Sequence, residues 1–306
     1  MSGPSGVTGR WLVTGADGML GRDLVAVLAA AGRPVTATTR RDLDITDPDA
    51  VRAAVDGHEL VLNTAAWTDV DGAEQQEAAA TRVNGTGAGY LAASCAATGA
   101  RLVHVSTDYV FAGEATEPYP EDAPTAPVNA YGRSKLAGER AVLTRLPEHG
   151  YVVRTAWLYA THGHNFVRTV LRLATERPHL DIVDDQVGQP TWSYLLAGRL
   201  VELADAAVAG QAPAGIYHGT CTGQTSWYGL ARAVFARSGL DPERIRPVDS
   251  GHFPRPARRP TYGVLGHQRW AAAGLAPLPH WQETLGAALA GRRSVTEVPP
   301  PAVLPG

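Results

Sequence analysis

Thr14-Gly15-Ala16-Asp17-Gly18-Met19-Leu20-Gly21 is the segment around which the rest of the chain organises. It follows an apolar run, Trp11-Leu12-Val13, and leads into Leu20, Leu24, Val25 and Leu28, which recur at helical spacing up to Gly32. A strand, a glycine-rich turn and a helix in that order aim backbone N–H groups at a point where an anion can sit. Gly15 and Gly18 let the backbone turn tightly and approach a pyrophosphate, while Gly21 permits close packing of helix on strand. In isolation the same glycines would mark only a turn. Asp17, an awkward neighbour for phosphate, is expected to face solvent.

Working outward, further apolar runs occur at Val35 to Thr39, Leu60-Val61-Leu62, Leu102-Val103-His104-Val105 and Tyr151-Val152-Val153. Continuous apolar strands alternating with helices form a parallel sheet covered on both faces. Right-handed crossovers make such a sheet doubly wound. The expectation is an α/β chain with a Rossmann-type doubly wound parallel sheet over 10–155. After Thr155 proline, tryptophan and glycine become frequent, and helices are predicted at Asn165 to Glu176, Tyr194 to Ala209 and Ser226 to Ser238. This half, 156–292, reads as a smaller C-terminal substrate-binding domain that can return a strand or helix to the first. Residues 1–9 and 293–306 are expected to be disordered tails.

The composition narrows the function. The 306 residues are 44% hydrophobic and 19% charged, as in a globular chain. Twenty-seven basic residues against 30 acidic ones leave a formal charge of -3, with no broad field for nucleic acid or an anionic membrane. No apolar run approaches the ~20 residues of a membrane span, and the N-terminus lacks the pattern of a signal peptide. Cys95 and Cys221 are too few for a disulfide scaffold or a thiolate metal site. They read as small buried residues in a reducing cytoplasm. Of the 27 basic residues 26 are arginine, and Lys135 is the one lysine. For surface charge the two residues are largely exchangeable; in chemistry they are not.

The end of the second strand sets the cofactor. An acid there binds the ribose 2′-hydroxyl of NAD, and an arginine the 2′-phosphate of NADP. The strand runs into Thr39-Arg40-Arg41 with no acid before Asp42, so Arg40 is read as a phosphate partner and NADPH as the cofactor, with NADH the alternative. The plain alternative for Arg40 is a solvated surface residue. Asp44-Ile45 are placed against the adenine, and Ala65-Ala66-Trp67-Thr68, of which Ala65, Ala66 and Thr68 are taken as contacts, along the middle of the dinucleotide, with Met19 and Leu20 at the glycine turn.

Tyr131-Gly132-Arg133-Ser134-Lys135 puts a phenol and an ammonium on one helix face. A phenol of pKa ~10 is a poor proton donor near neutrality, and bringing it there means a shift of about three units, roughly 4 kcal/mol. A compact ammonium one turn away provides part of that while also binding ribose hydroxyls. In Ser106-Thr107-Asp108-Tyr109-Val110-Phe111 a hydroxyl, read as Thr107, stands at a strand end where active groups of open α/β sheets gather. Thr107, Tyr131 and Lys135 thus make a set for reducing a carbonyl.

These motifs resemble the extended short-chain dehydrogenase/reductases. Within them, Ser106–Phe111, Pro127–Gly132, Arg154-Thr155-Ala156-Trp157 and Asp185–Thr191 resemble the dTDP-4-dehydrorhamnose reductase family over roughly Trp11 to Leu289. The resemblance implies NAD(P)H-dependent reduction of the 4-keto group of a dTDP-linked 6-deoxyhexose. It assigns substrate contacts to Thr107, Asp108 and Trp157, proton donation to Tyr131, and ribose binding to Lys135. The related 4,6-dehydratases carry Thr-Asp-Glu after this strand; here Tyr109 stands in the place of the glutamate, which argues against dehydration. Epimerases and non-catalytic regulatory subunits share the fold and remain alternatives. So does reduction of a related 4-keto or streptose-type sugar in secondary metabolism.

The substrate diphosphate needs cations, for which Arg168, after Asn165-Phe166, and Arg259 are candidates, and Asn165 joins them as a substrate contact. Trp192 is a sugar or base platform only if it is not core. Family enzymes pair around magnesium held by carboxylates, but no acidic cluster stands near this C-terminus, so no metal is expected. The partner is the sugar nucleotide, with no nucleic acid or membrane, and the chain is a monomer or homodimer. His162, His164, His218 and His252 lack metal-ligand spacing.

Overall fold

In a computed structural model, which describes residues 9–291, every residue of Trp11–Thr14 (β1) is buried, as a strand covered on both faces must be. The tails expected at 1–9 and 293–306, Gly9 excepted, and residue 292 of the second half lie outside the described residues. From β1 the chain enters Met19–Ala30 (α1), Val35–Thr38 (β2), Pro48–Val55 (α2) and Leu60–Asn63 (β3). Then come Val70–Gln75 (α3), Glu77–Thr81 (α4), a π-helical turn at Arg82–Gly87, Ala88–Thr98 (α5), Arg101–Thr107 (β4), Ala130–Arg145 (α6) and Gly150–Thr155 (β5). The second half contributes Phe166–Glu176 (α7), Ser193–Val208 (α8), the strand Gly215–His218 and Trp227–Arg237 (α9).

The main sheet runs Gly215–His218, β5, β4, β3, β1, β2, and its pairs are all parallel. The doubly wound fold is therefore present, with its sixth strand supplied from the second half. β1 has β2 on one side and β3 on the other, so the connections leave in opposite directions and open a crevice beyond the strand ends. On one face Val13, Leu24 and Leu28 pack with Leu196 and Leu200 of α8. On the other, Val61 and Val152 pack with Leu91, Ala92 and Val142. Burying each such leucine contributes roughly 1.5–3 kcal/mol. Arg33 and Asp205 add an ion pair between the end of α1 and α8.

Helix boundaries in the second half differ from the sequence reading by a residue or so, which is the fraying range of helix ends. Asn165 and Ser226 are N-caps: their side-chain oxygens accept from the Arg168 and Gly229 N–H groups, at 3.1 and 3.0 Å. β2 stops at Thr38 because Thr39 turns with Asp42, whose carboxylate accepts from both the Thr39 N–H and hydroxyl. Among the described residues no helix is long and apolar enough to cross a membrane.

Candidate active site

A cavity of about 960 Å³ opens at the carboxyl ends of β1 to β5. Its floor is the glycine turn, with Gly15, Gly18, Met19, Leu20 and Gly21 all on the wall. Gly15 has φ 71°, and a Cβ there would stand 2.6 Å from the Ala65 backbone nitrogen. A Cβ on Gly21 would fall 2.2 Å from the Gly15 carbonyl oxygen. Side chains at either position would push the turn away from the strand ends. α1 begins without a side-chain cap and without an acid in its first turn, so its leading N–H groups face the cavity uncompensated. That suits an anion. Asp17 borders the cavity but is exposed.

At the rim beyond β2, Arg40 is exposed and makes no hydrogen bond or ion pair among the described residues. Its acidic neighbours are occupied. Asp42 is held below the usual carboxylate range by hydrogen bonds from Thr39, and Asp44 by bonds from Thr46, then by the charges of Arg40 and Arg82. Asp44, Ile45, Ala65, Ala66 and Thr68 also line the cavity. The uncapped helix start, the glycine cradle and the unpaired Arg40 fit a dinucleotide with a terminal phosphate.

The chemical groups stand on β4 and α6. Thr107 closes β4 opposite Thr155 of β5, and its hydroxyl donates to the Asp108 carboxylate at 3.0 Å. Burial pushes the Asp108 carboxyl up to about 7, with the Thr107 hydrogen bond pulling the other way. α6 is started by Asn129, whose side chain accepts from the Gly132 N–H at 2.7 Å and donates to the Arg258 carbonyl at 2.9 Å. The cap fixes the helix on which Tyr131 and Lys135 share one face. The Tyr131 ring meets Tyr109 edge-on, with centroids 5.8 Å apart, and both line the cavity with Thr107, Asp108 and Lys135.

The expected lowering of the Tyr131 phenol by Lys135 is not what the structure contains. Burial, and next the Asp108 carboxylate, push it up to about 12, while Thr107 opposes them. Lys135 instead donates to the Val105 carbonyl at 2.7 Å, directed at the backbone of β4. Burial pulls its ammonium down to about 8, against the raising influence of Glu139. Glu139 is itself bound by Arg154 and by the Ser106 hydroxyl in a buried network behind the wall.

Trp157 lies on the wall, two residues past β5, and is the one non-glycine residue with positive φ (46°) among those described. Such a backbone costs on the order of 1–3 kcal/mol and persists only where the surroundings hold it. Three residues singled out in the sequence lie off the cavity wall. Asn165 caps α7 and donates to the Ala160 and His162 carbonyls; Arg168 donates to the Thr161 carbonyl. Both brace the loop that brings His162, Gly163 and His164 to the wall. Arg259 pairs through both nitrogens with Asp71, at 2.6 and 3.0 Å, which occupies its fork. Trp192 is core, 3% exposed. Trp67 and Tyr109, both within stretches read from the sequence, also line the cavity, whereas His162, His164 and Trp227 were not read as wall residues, because each comes from a loop or helix start with no fixed spacing from the motifs. Among the described residues no three His, Cys, Asp or Glu side chains group to hold a metal.

The family model described as the RmlD substrate binding domain matches residues 9–293. A dTDP-4-dehydrorhamnose reductase from Streptomyces griseus is 55% identical over 278 residues, covering 90% of this chain and 91% of that protein. A dTDP-4-keto-6-deoxy-D-glucose reductase from Streptomyces niveus is 53% identical over 281 residues, covering 91% and 96%. Among solved structures, a dTDP-4-dehydrorhamnose reductase from Bacillus anthracis in complex with NADP has a TM-score of 0.87 at 34% identity, covering 92% of this chain and 99% of that one. With the matched model spanning nearly the whole chain and relatives identical at over half of the aligned positions, this chain belongs to the RmlD substrate binding domain family.

Proposed function

We propose that this protein is an NADPH-dependent oxidoreductase that reduces the 4-keto group of a dTDP-linked 6-deoxyhexose. The observation that carries the reading is the convergence of Thr107, Tyr131 and Lys135 on one cavity whose other end is the glycine turn and Arg40. Substrates named for the close relatives are sugars of this class.

Gly15, Gly18, Met19, Leu20 and Gly21 would hold the pyrophosphate, Arg40 the 2′-phosphate, Asp44 and Ile45 the adenosine end, and Ala65, Ala66 and Thr68 the middle, with Lys135 on the ribose. When bound, NADPH supplies the hydride for the carbonyl carbon. Tyr131 gives its phenolic proton to the ketone oxygen, and its high affinity for that proton keeps it loaded at neutral pH. Thr107 orients the same oxygen by hydrogen bonding. Lys135 stabilises the phenolate left behind, which the buried surroundings would otherwise disfavour. Asp108, beside Thr107, and Trp157 are assigned to the sugar. Asn165 and Arg168 support this site through their loop, and Arg259 through Asp71, and none of them is assigned a direct contact.

On this reading residues 10–155 bind the dinucleotide and 156–292 mainly the sugar nucleotide. On the same reading the protein would act in the cytoplasm, as a monomer or homodimer. Incubation with NADPH and a panel of dTDP-4-keto sugars, following absorbance and product stereochemistry, tests the assignment. Loss of NADPH absorbance with at least one sugar is expected. No oxidation with any of them would move the reading to a cofactor-binding regulatory subunit.

A further inference from the structure

The strained Trp157 is held from behind. Its indole stacks on Trp227, the first residue of α9, with ring centroids 3.6 Å apart and planes 9° from parallel. Gly188 lies against the indole: a Cβ there would fall 2.5 Å from Trp157 Cε2. Trp227 is fixed in its turn. Phe166 packs on it at 4.6 Å, its indole N–H donates to Gln186 at 3.3 Å, and the Ser226 cap sets the start of its helix. Both indoles reach the cavity wall, and among the described residues they are the one tryptophan pair that stacks.

An isolated residue at Trp157's φ would relax to negative φ and swing the side chain off the wall. The stack opposes that motion because a parallel pair of indoles loses most of its contact area on a small rotation. We infer that Trp227 is a positioning residue for sugar-nucleotide affinity: it holds Trp157 in its left-handed conformation and so fixes the aromatic wall against which the sugar packs. The inference rests on the reductase reading for its ligand, but not for the stack itself.

The test compares wild type, Trp227→Ala and Trp227→Phe. Stacked indoles give an exciton couplet in circular dichroism, so both variants should lose it. Trp227→Ala should raise the KM for the sugar nucleotide roughly tenfold, with a smaller change in kcat and an unaltered Kd for NADPH. Trp227→Phe, which restores an aromatic face, should recover much of the KM. The Kd for dTDP-glucose, a sugar nucleotide without the ketone, should follow the same order. An unchanged KM and Kd in Trp227→Ala, despite loss of the couplet, would overturn the inference. So would a fall in kcat and Tm that Trp227→Phe does not reverse, since that pattern marks structural support alone. If wild type reduced no sugar, the reductase reading would fall, while the dTDP-glucose affinities would still decide the role of Trp227.

Discussion

The ammonium of Lys135, 2% exposed, donates to the main-chain carbonyl of Val105 at 2.7 Å, which locks the chain's one lysine between α6 and β4. A guanidinium is wider and planar, and it does not reproduce a compact ammonium in this buried position. Lys135→Arg should therefore keep the net charge but lose most of the reductase activity, read as kcat with NADPH and the best sugar. Normal turnover would return the lone lysine to an accident of composition. A pH dependence goes with it. Because burial holds this ammonium down to about 8, NADPH affinity should weaken as pH rises through that value. Lys135→Met should bind weakly at all pH values.

Tyr131→Phe removes the proton and leaves the ring. Its phenol is pushed up to about 12, so it carries its proton throughout the neutral range. The expected loss in kcat is about 10²- to 10⁴-fold, with the NADPH Kd changed little. A variant reducing ketone near the wild-type rate would refute proton donation by Tyr131.

Arg40→Ala should distinguish the two nicotinamide cofactors. A charge-assisted hydrogen bond is worth ~1.5–3 kcal/mol, which corresponds to a loss in NADPH affinity of roughly 10- to 150-fold. NADH lacks the 2′-phosphate and should bind as before. Equal weakening of both, measured by titration of the two cofactors, would remove Arg40 from the phosphate.

Asp108 predicts an effect on stability. Its folded pKa, raised to about 7 chiefly by burial, lies above the unfolded value of 3.8. The folded state therefore holds the proton more tightly, and stability is complete below pH 3.8 and declines as pH rises to 7. Three units correspond to roughly 4 kcal/mol at most. Asp108→Asn, which stays neutral, should raise Tm relative to wild type at pH 8 and leave the difference small at pH 4. Thermal unfolding at the two pH values measures this, and a Tm gain equal at both would exclude titration of Asp108 as the cause.

Much of the site was legible because its residues sit at fixed distances along single elements. Gly15, Gly18 and Gly21 belong to one turn, and Tyr131 and Lys135 to one helix face, so spacing alone brings them together. Asn165, Arg168 and Arg259 show where that reasoning ends. Each is a polar residue near a motif, but Arg259 meets Asp71, 188 positions away, and Asn165 and Arg168 turn to the carbonyls of their own loop. Competition among partners is settled by packing, which local sequence does not encode.

The same division holds for the whole molecule. Apolar runs, the glycine turn and the Tyr-x3-Lys spacing determined by themselves the parallel sheet, the turn at its strand ends and the shared helix face of Tyr131 and Lys135, because each follows from backbone geometry over a few residues. The tertiary structure alone decided that the sixth strand returns from Gly215–His218, that Lys135 is turned to Val105, that Tyr131 is raised and not lowered, and that Trp157 leans on Trp227. Those depend on contacts and burial among segments far apart in the chain, and a charge's neighbours and dielectric exist only once the chain has folded.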